Sequence, residues 1–97
     1  MILEVATLNI VSGEEEGFEN AFSEAQLIIR QMNGYIKHEL HKCIEKESNY
    51  LLLVWWETIA DHETGFRQSS QYQEWKKLLH HFYDPFPTVL HFSEVSL

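Results

Sequence analysis

Along this 97-residue chain, apolar residues recur every second position in some stretches and every third or fourth in others. The switches between the two periods mark the elements. The opening run ILEVATLNIV is rich in aliphatic and β-branched residues and stops at SGEEEG, which predicts a first strand followed by a helix start. Ser12 and Glu15 have the spacing of a capping box, and Glu14 and Glu16 suit the positive end of a helix dipole. Phe18, Phe22, Ala25, Ile29 and Met32 then step by four, three, four and three residues, a single apolar stripe that a helix packs into a core. Asn33-Gly34 ends that helix, with Gly34 free to take positive φ.

YIKHELHKCI alternates, with Ile36, His38, Leu40 and Ile44 on one face and Tyr35, Lys37, Glu39, His41 and Cys43 on the other. After the turn EKESN comes YLLLVWW, residues 50–56, so the second and third strands form an antiparallel hairpin. Thr58 with Asp61 predicts a helix start leading into a segment that Gly65 weakens. Ser70 with Gln73 predicts a second start, after which Tyr72, Trp75, Leu79 and Phe82 form the apolar stripe. Pro85 and Pro87 break the helix, and TVLHFSEV reads as a last strand. The order is that of the split βαβ arrangement: an α+β, ferredoxin-like single domain over residues 1–97, with a four-stranded antiparallel sheet carrying its helices on one face.

In that topology the first and third strands are central, and a strand with one wet face should alternate. Residues 50–56 do not alternate, so Trp55 and Trp56 point to opposite faces and one indole, with its flanking leucines, needs cover. A second copy packed sheet to sheet supplies it, which predicts a two-fold homodimer through the sheet face. Trp56 is assigned to the helix-facing side, on a register that pairs it with His38.

Charge narrows the partners. With 7 basic against 15 acidic residues, a formal −8, and no basic cluster longer than Lys76-Lys77, nucleic acid is not an expected partner. The single cysteine, Cys43, has no disulfide partner and fits a reducing cytoplasm. MILEVATLNI lacks the basic start and cleavage site of a signal peptide, and no apolar run reaches membrane-spanning length, so no membrane association is expected. A dedicated metal site is not expected either. His38 and His41 point to opposite faces of a strand, and His80 and His81 diverge on a helix.

Several residues nonetheless point to a small-molecule site. His38, between Ile36 and Leu40, could accept a proton from a bound phenol, or could be a partly buried histidine held by backbone or water. Trp56, Phe66, Tyr72 and Trp75 could wall a pocket for a flat ring, although such stripes also build ordinary cores. Arg67 could clamp an acidic or quinone oxygen, or sit in a solvent-facing salt bridge. No phosphate-binding loop or nucleophile elbow is present.

Trp56-Glu57-Thr58, then ADHETGFRQSSQYQEWKKLL with its FRQS segment, then a proline-marked final strand, together with Gly13 before an acidic helix start, resembles the antibiotic biosynthesis monooxygenase family of small dimeric α+β-barrel proteins. The resemblance covers essentially the whole chain. It implies a cavity between sheet and helices, used in some members for oxygen chemistry on aromatic substrates without metal or flavin, so no cofactor is expected. Other members bind and degrade haem. Here the first-strand asparagine of that branch would fall on Ala6, and its iron-ligand histidine on Trp75 or Lys76. The histidines that another family pattern places near the last helix would fall on Gln71 and Gly65. The expectation is a cofactor-independent monooxygenase acting on a small aromatic or quinol-type compound. The alternatives are a non-catalytic small-molecule-binding dimer and a haem-binding relative.

Overall fold

The residues of β1 (Ile2–Asn9) point alternately to the two faces of a sheet, and Glu4, Ala6 and Leu8 are the buried set. The computed structural model describes all 97 residues, Met1–Leu97. After β1 come α1 (Glu15–Ile29), β2 (Tyr35–Lys42), β3 (Asn49–Trp56), a π-helical stretch (Asp61–Phe66), α2 (Ser70–Leu79), a 3-10 turn (His80–Phe82) and β4 (Val89–Phe92). The sheet order is β2-β3-β1-β4, all neighbours antiparallel, with β1 and β3 central as the ferredoxin-like reading requires.

The helical stripe falls where the periodicity put it. Phe18, Phe22, Ala25 and Ile29 are buried on α1, against inner-face residues that include Leu8, Tyr50, Leu52 and Val54. Phe18 has no exposed surface and meets Tyr50 edge-on at 4.9 Å. Truncating so enclosed a ring typically costs about 3–5 kcal/mol.

The start of α1 differs from expectation. Ser12 makes no cap, and Glu15 instead accepts from the Gly13 N–H at 3.2 Å and the Ser48 hydroxyl at 2.8 Å. The carboxylate is thus drawn to the β2–β3 turn rather than to the helix end. At Thr58 the reciprocal box does form: the Asp61 N–H donates to Thr58 Oγ1 at 3.2 Å and the Thr58 N–H to Asp61 Oδ2 at 3.0 Å. For α2 the cap is one residue earlier than expected, with Ser69 Oγ accepting from the Tyr72 N–H at 3.1 Å.

The second strand carries a correction with consequences. A bulge between Tyr35 and Lys37 sets Tyr35 opposite Trp56 and His38 opposite Val54, so the expected pairing of Trp56 with His38 does not occur. Tyr35 turns in to meet the Trp56 ring edge at 6.3 Å, while Ile36 is 42 % exposed and Ile44, past the strand, is almost fully so. Trp56 still faces the helices and is fully buried.

Trp55 lies on the other side of the sheet, with Lys37 Nζ 4.3 Å from its ring centroid. That face is apolar in rows: Trp55, Leu3 and Phe92 are matched across three strands, and so are Leu53, Val5 and Leu90. Leu90 and Phe92 are exposed, and the other four are half-buried. No helix is long and apolar enough to cross a membrane.

Candidate active site

Between the inner face of β1 and β3 and the segment 61–89 lies a cavity of about 100 Å³. Ala6 makes room for it, because a methyl between the inward residues Glu4 and Leu8 leaves a gap that a larger side chain would fill. Leu8 and Leu52 line the sheet side; Phe66, Tyr72 and Trp75 line the helical side, with the Phe66 ring edge-on to Tyr72 at 5.2 Å and to Trp75 at 5.5 Å. Arg67 and Phe86 are exposed lining residues and therefore mark the mouth. His80, Tyr83, Pro87 and Val89 complete the wall.

The π-helical stretch is what brings its side chains inward. Its wider turn, closed by the Arg67 N–H to the His62 carbonyl at 3.0 Å, buries both His62 and Phe66 and leaves Arg67 at the opening. Gly65 lies within that stretch, where the sequence predicts a weakened helix.

Of the residues singled out in the sequence, Phe66, Arg67, Tyr72 and Trp75 are brought together around the cavity. Trp56 stands one layer behind, stacked on His62 at 5.5 Å and donating its indole N–H to Glu4 Oε1 at 2.9 Å. Arg67 makes no ion pair. His38 is not at the cavity. Its Nδ1 accepts from the Tyr35 hydroxyl at 2.5 Å and its Nε2–H donates to Gln26 Oε1 at 3.0 Å. Both ring nitrogens are therefore occupied, and burial lowers its pKa, with the Arg30 charge adding to the effect.

Sequence reasoning missed the acid and the imidazoles behind it. Glu4 lines the cavity and is only 6 % exposed. Burial pushes its pKa up to about 7, against the lowering effect of the Trp56 hydrogen bond and the Arg67 charge. His62 lies 3.4 Å from Glu4 Oε1, and its Nδ1 is hydrogen-bonded to His91 Nε2 at 2.8 Å. Burial, then the charges of Arg67 and His91, depress His62 to about 3. With those shifts the Glu4–His62 contact between pH about 3 and about 7 is a carboxylic acid beside a neutral imidazole, not an ion pair. Tyr72 and Tyr83 are both raised, chiefly by burial, and so remain protonated at neutral pH. The signal for Glu4 lay in the sequence: it shares its strand parity with Ala6, Leu8 and Ile10, which marks a charge at an inward position.

Fold and site together define a class: a small ferredoxin-like protein with an aromatic-walled cavity holding one buried carboxyl group. The chain belongs to the antibiotic biosynthesis monooxygenase family, whose sequence model matches residues 1–78. It is 59 % identical over 95 residues to the uncharacterized protein YczJ of Bacillus subtilis (strain 168), covering 98 % of this chain and all of that one. A crystal structure from Bordetella bronchiseptica, described as a candidate antibiotic biosynthesis monooxygenase, superimposes with TM-score 0.93 at 35 % identity, over 98 % of this chain and 97 % of the other. The fold is also that of SnoaB, a cofactor-independent oxygenase from Streptomyces nogalater, with TM-score 0.82 at 15 % identity over 99 % and 94 % of the two chains.

Proposed function

We propose that this protein is a monooxygenase that acts on a one-ring phenol or quinol without metal or organic cofactor. The observation that carries the reading is the meeting, in one aromatic cavity, of a buried acid poised near neutrality and an unpaired Arg67 at the mouth. Size selects the substrate. Drug-sized ligands occupy roughly 300–1,000 Å³, whereas an apolar cavity of roughly 150 Å³ accepts benzene. About 100 Å³ with an open mouth suits a single ring better than the four pyrroles of a haem.

In this reading Phe66, Tyr72 and Trp75 sandwich the ring, Arg67 holds its oxygen, and Glu4, not His38, accepts the phenol proton. The resulting phenolate gives one electron to dioxygen, and the radical pair joins at a ring carbon that bears hydrogen. Glu4 returns its proton to the peroxide. Glu4, again a carboxylate, takes the C–H proton as the O–O bond breaks, and the leaving hydroxide picks that proton up and departs as water. Phenol plus dioxygen becomes quinone plus water, with four ring electrons reducing one oxygen atom to the new carbonyl and the other to water.

The family membership and the fold shared with SnoaB support the reaction class. Oxygen uptake with a panel of phenols tests it. Glu4→Gln should lose roughly 10²- to 10⁴-fold in rate, and His38→Ala should keep most of it. Tight binding of phenols without oxygen uptake would instead make the protein a small-molecule-binding dimer.

The same reading pairs two copies through the outer sheet face, where the matched rows centred on Leu3 and Val5 leave apolar surface uncovered. It places the protein in the cytoplasm on the free thiol of Cys43.

A further inference from the structure

We propose that Glu4, His62, His91 and Glu63 form a proton relay through which the carboxyl group in the cavity exchanges protons with solvent. The proposal rests on the reading of Glu4 as the cavity base and gives that base a connection to bulk water that does not pass through the cavity mouth.

The chain of four groups begins at two buried side chains, passes a partly buried one and ends at the surface. Side-chain exposure is 8 % at Glu4, 4 % at His62, 15 % at His91 and 50 % at Glu63. Glu4 and His91 are cross-strand partners on β1 and β4, and His62 comes down on them from the π-helical stretch. The successive separations are 3.4 Å from Glu4 Oε1 to His62 Nε2, 2.8 Å from His62 Nδ1 to His91 Nε2, and 3.9 Å from His91 Nδ1 to Glu63 Oε1. Each imidazole thus presents one nitrogen inward and the other outward, the arrangement that lets a ring accept a proton on one side and release another from the opposite side. The two facing nitrogens are hydrogen-bonded to each other. Zinc bonds of about 2.0–2.1 Å in tetrahedral geometry would hold them about 3.3 Å apart.

The proton count closes. In the outward-ready state Glu4 carries the proton it took from the substrate, His62 carries its proton on Nδ1 and His91 on Nδ1. Glu4 passes its proton to His62 Nε2, the His62 Nδ1 proton moves to His91 Nε2, and the His91 Nδ1 proton leaves to Glu63 and water. One proton enters and one leaves. Glu4 ends as carboxylate and both rings end as the opposite neutral tautomer. The reverse sequence restores to Glu4 the proton that it gives to the peroxide. Concerted movement keeps either ring from bearing a full charge beside Arg67, whose field disfavours an imidazolium at His62. The other groups facing Glu4 are the Trp56 indole N–H and the cavity phenols of Tyr72 and Tyr83, which keep their protons at neutral pH.

The test needs no substrate. In a stopped-flow jump from pH about 6 to about 8, either side of the Glu4 value, tryptophan fluorescence reads Glu4 ionisation through its bond to Trp56. Glu4→Gln should remove the amplitude. His91→Phe should leave amplitude and midpoint in place and slow the relaxation roughly tenfold or more, with free imidazole in the buffer restoring the rate. His91→Gln, which keeps polar atoms but does not titrate, serves as the second variant should the first not fold. Wild-type relaxation rates in the His91 variants, or full amplitude in Glu4→Gln, would overturn the relay. Slow relaxation in His91→Phe together with no oxygen uptake on any phenol would leave the relay standing and remove the oxygenase reading alone.

Discussion

Glu4 is the residue on which the candidate site turns. Its carboxyl group is raised to about 7 in the folded protein from an ordinary 4.5, so the native state holds a proton that the unfolded chain gives up. Stability from this group is fully present below pH about 4.5 and is lost as the pH climbs through about 7. Against Glu4→Gln, the wild type should therefore lose about 3 kcal/mol across that window, read as urea unfolding free energies at several pH values. His62 works in the opposite sense: its depressed value makes the native state lose stability as the pH falls from 6.5 towards about 3. Trp56→Phe removes the donor that stabilises the Glu4 carboxylate, so the midpoint of Glu4 ionisation should move up by about one to two units, visible in the infrared carboxyl band. An unmoved midpoint would mean that burial alone sets the value. Glu4 was only half legible in the sequence. Its own strand marks it as inward, but its partners His62 and His91 come from elements far along the chain, and only the fold sets them together. His38 was legible as a partly buried histidine, whereas its Tyr35 contact depends on a bulge that a simple alternation does not contain.

At the scale of elements, the strands and helices were legible because their periods of two and 3.6 are written in the buried residues themselves: Ala6 and Leu8, then Phe18, Phe22, Ala25 and Ile29. The π-helical stretch was less so. Gly65 signalled a weak helix, but the inward set of His62 and Phe66 follows from a wider turn that no capping pattern specifies. Its anchor is the turn before β2. Gly34 has φ +81°, and a methyl group there would come within 2.2 Å of the Asp61 carboxyl, the residue that forms the reciprocal cap with Thr58. Gly34→Ala should cost at least about 1–2 kcal/mol for the left-handed backbone alone. In a domain of this size that lowers Tm by roughly 4–8 °C per kcal/mol. Because the displaced cap begins the stretch carrying Phe66 and Arg67, affinity for a one-ring phenol should fall as well, read by calorimetric titration at a temperature where the variant is folded. Wild-type affinity in a folded Gly34→Ala protein would separate the cap from the site.

Across the whole molecule, the uninterrupted apolar run of β3 has two addresses. Tyr50, Leu52, Val54 and Trp56 fill the inner core, while Leu51, Leu53 and Trp55 join Leu3 and Val5 on a face that one copy leaves uncovered. The proposed sheet-to-sheet dimer predicts a sedimentation mass of twice 11.5 kDa, falling to the single value in Leu53→Glu with unchanged far-UV dichroism. A wild-type mass of 11.5 kDa at micromolar concentration would contradict it. The cavity lies on the opposite side of the sheet from the proposed interface, so the proposed reaction can be examined apart from assembly. The most direct measurement is oxygen uptake by chelator-treated protein supplied with one-ring phenols under isotopically labelled dioxygen, with the product analysed by mass spectrometry. One labelled atom in the quinone and one in water, with the rate rising through pH about 7 and lost in Glu4→Gln, is the predicted result. Phenol binding with no oxygen consumed, or consumption undiminished in Glu4→Gln, would contradict it.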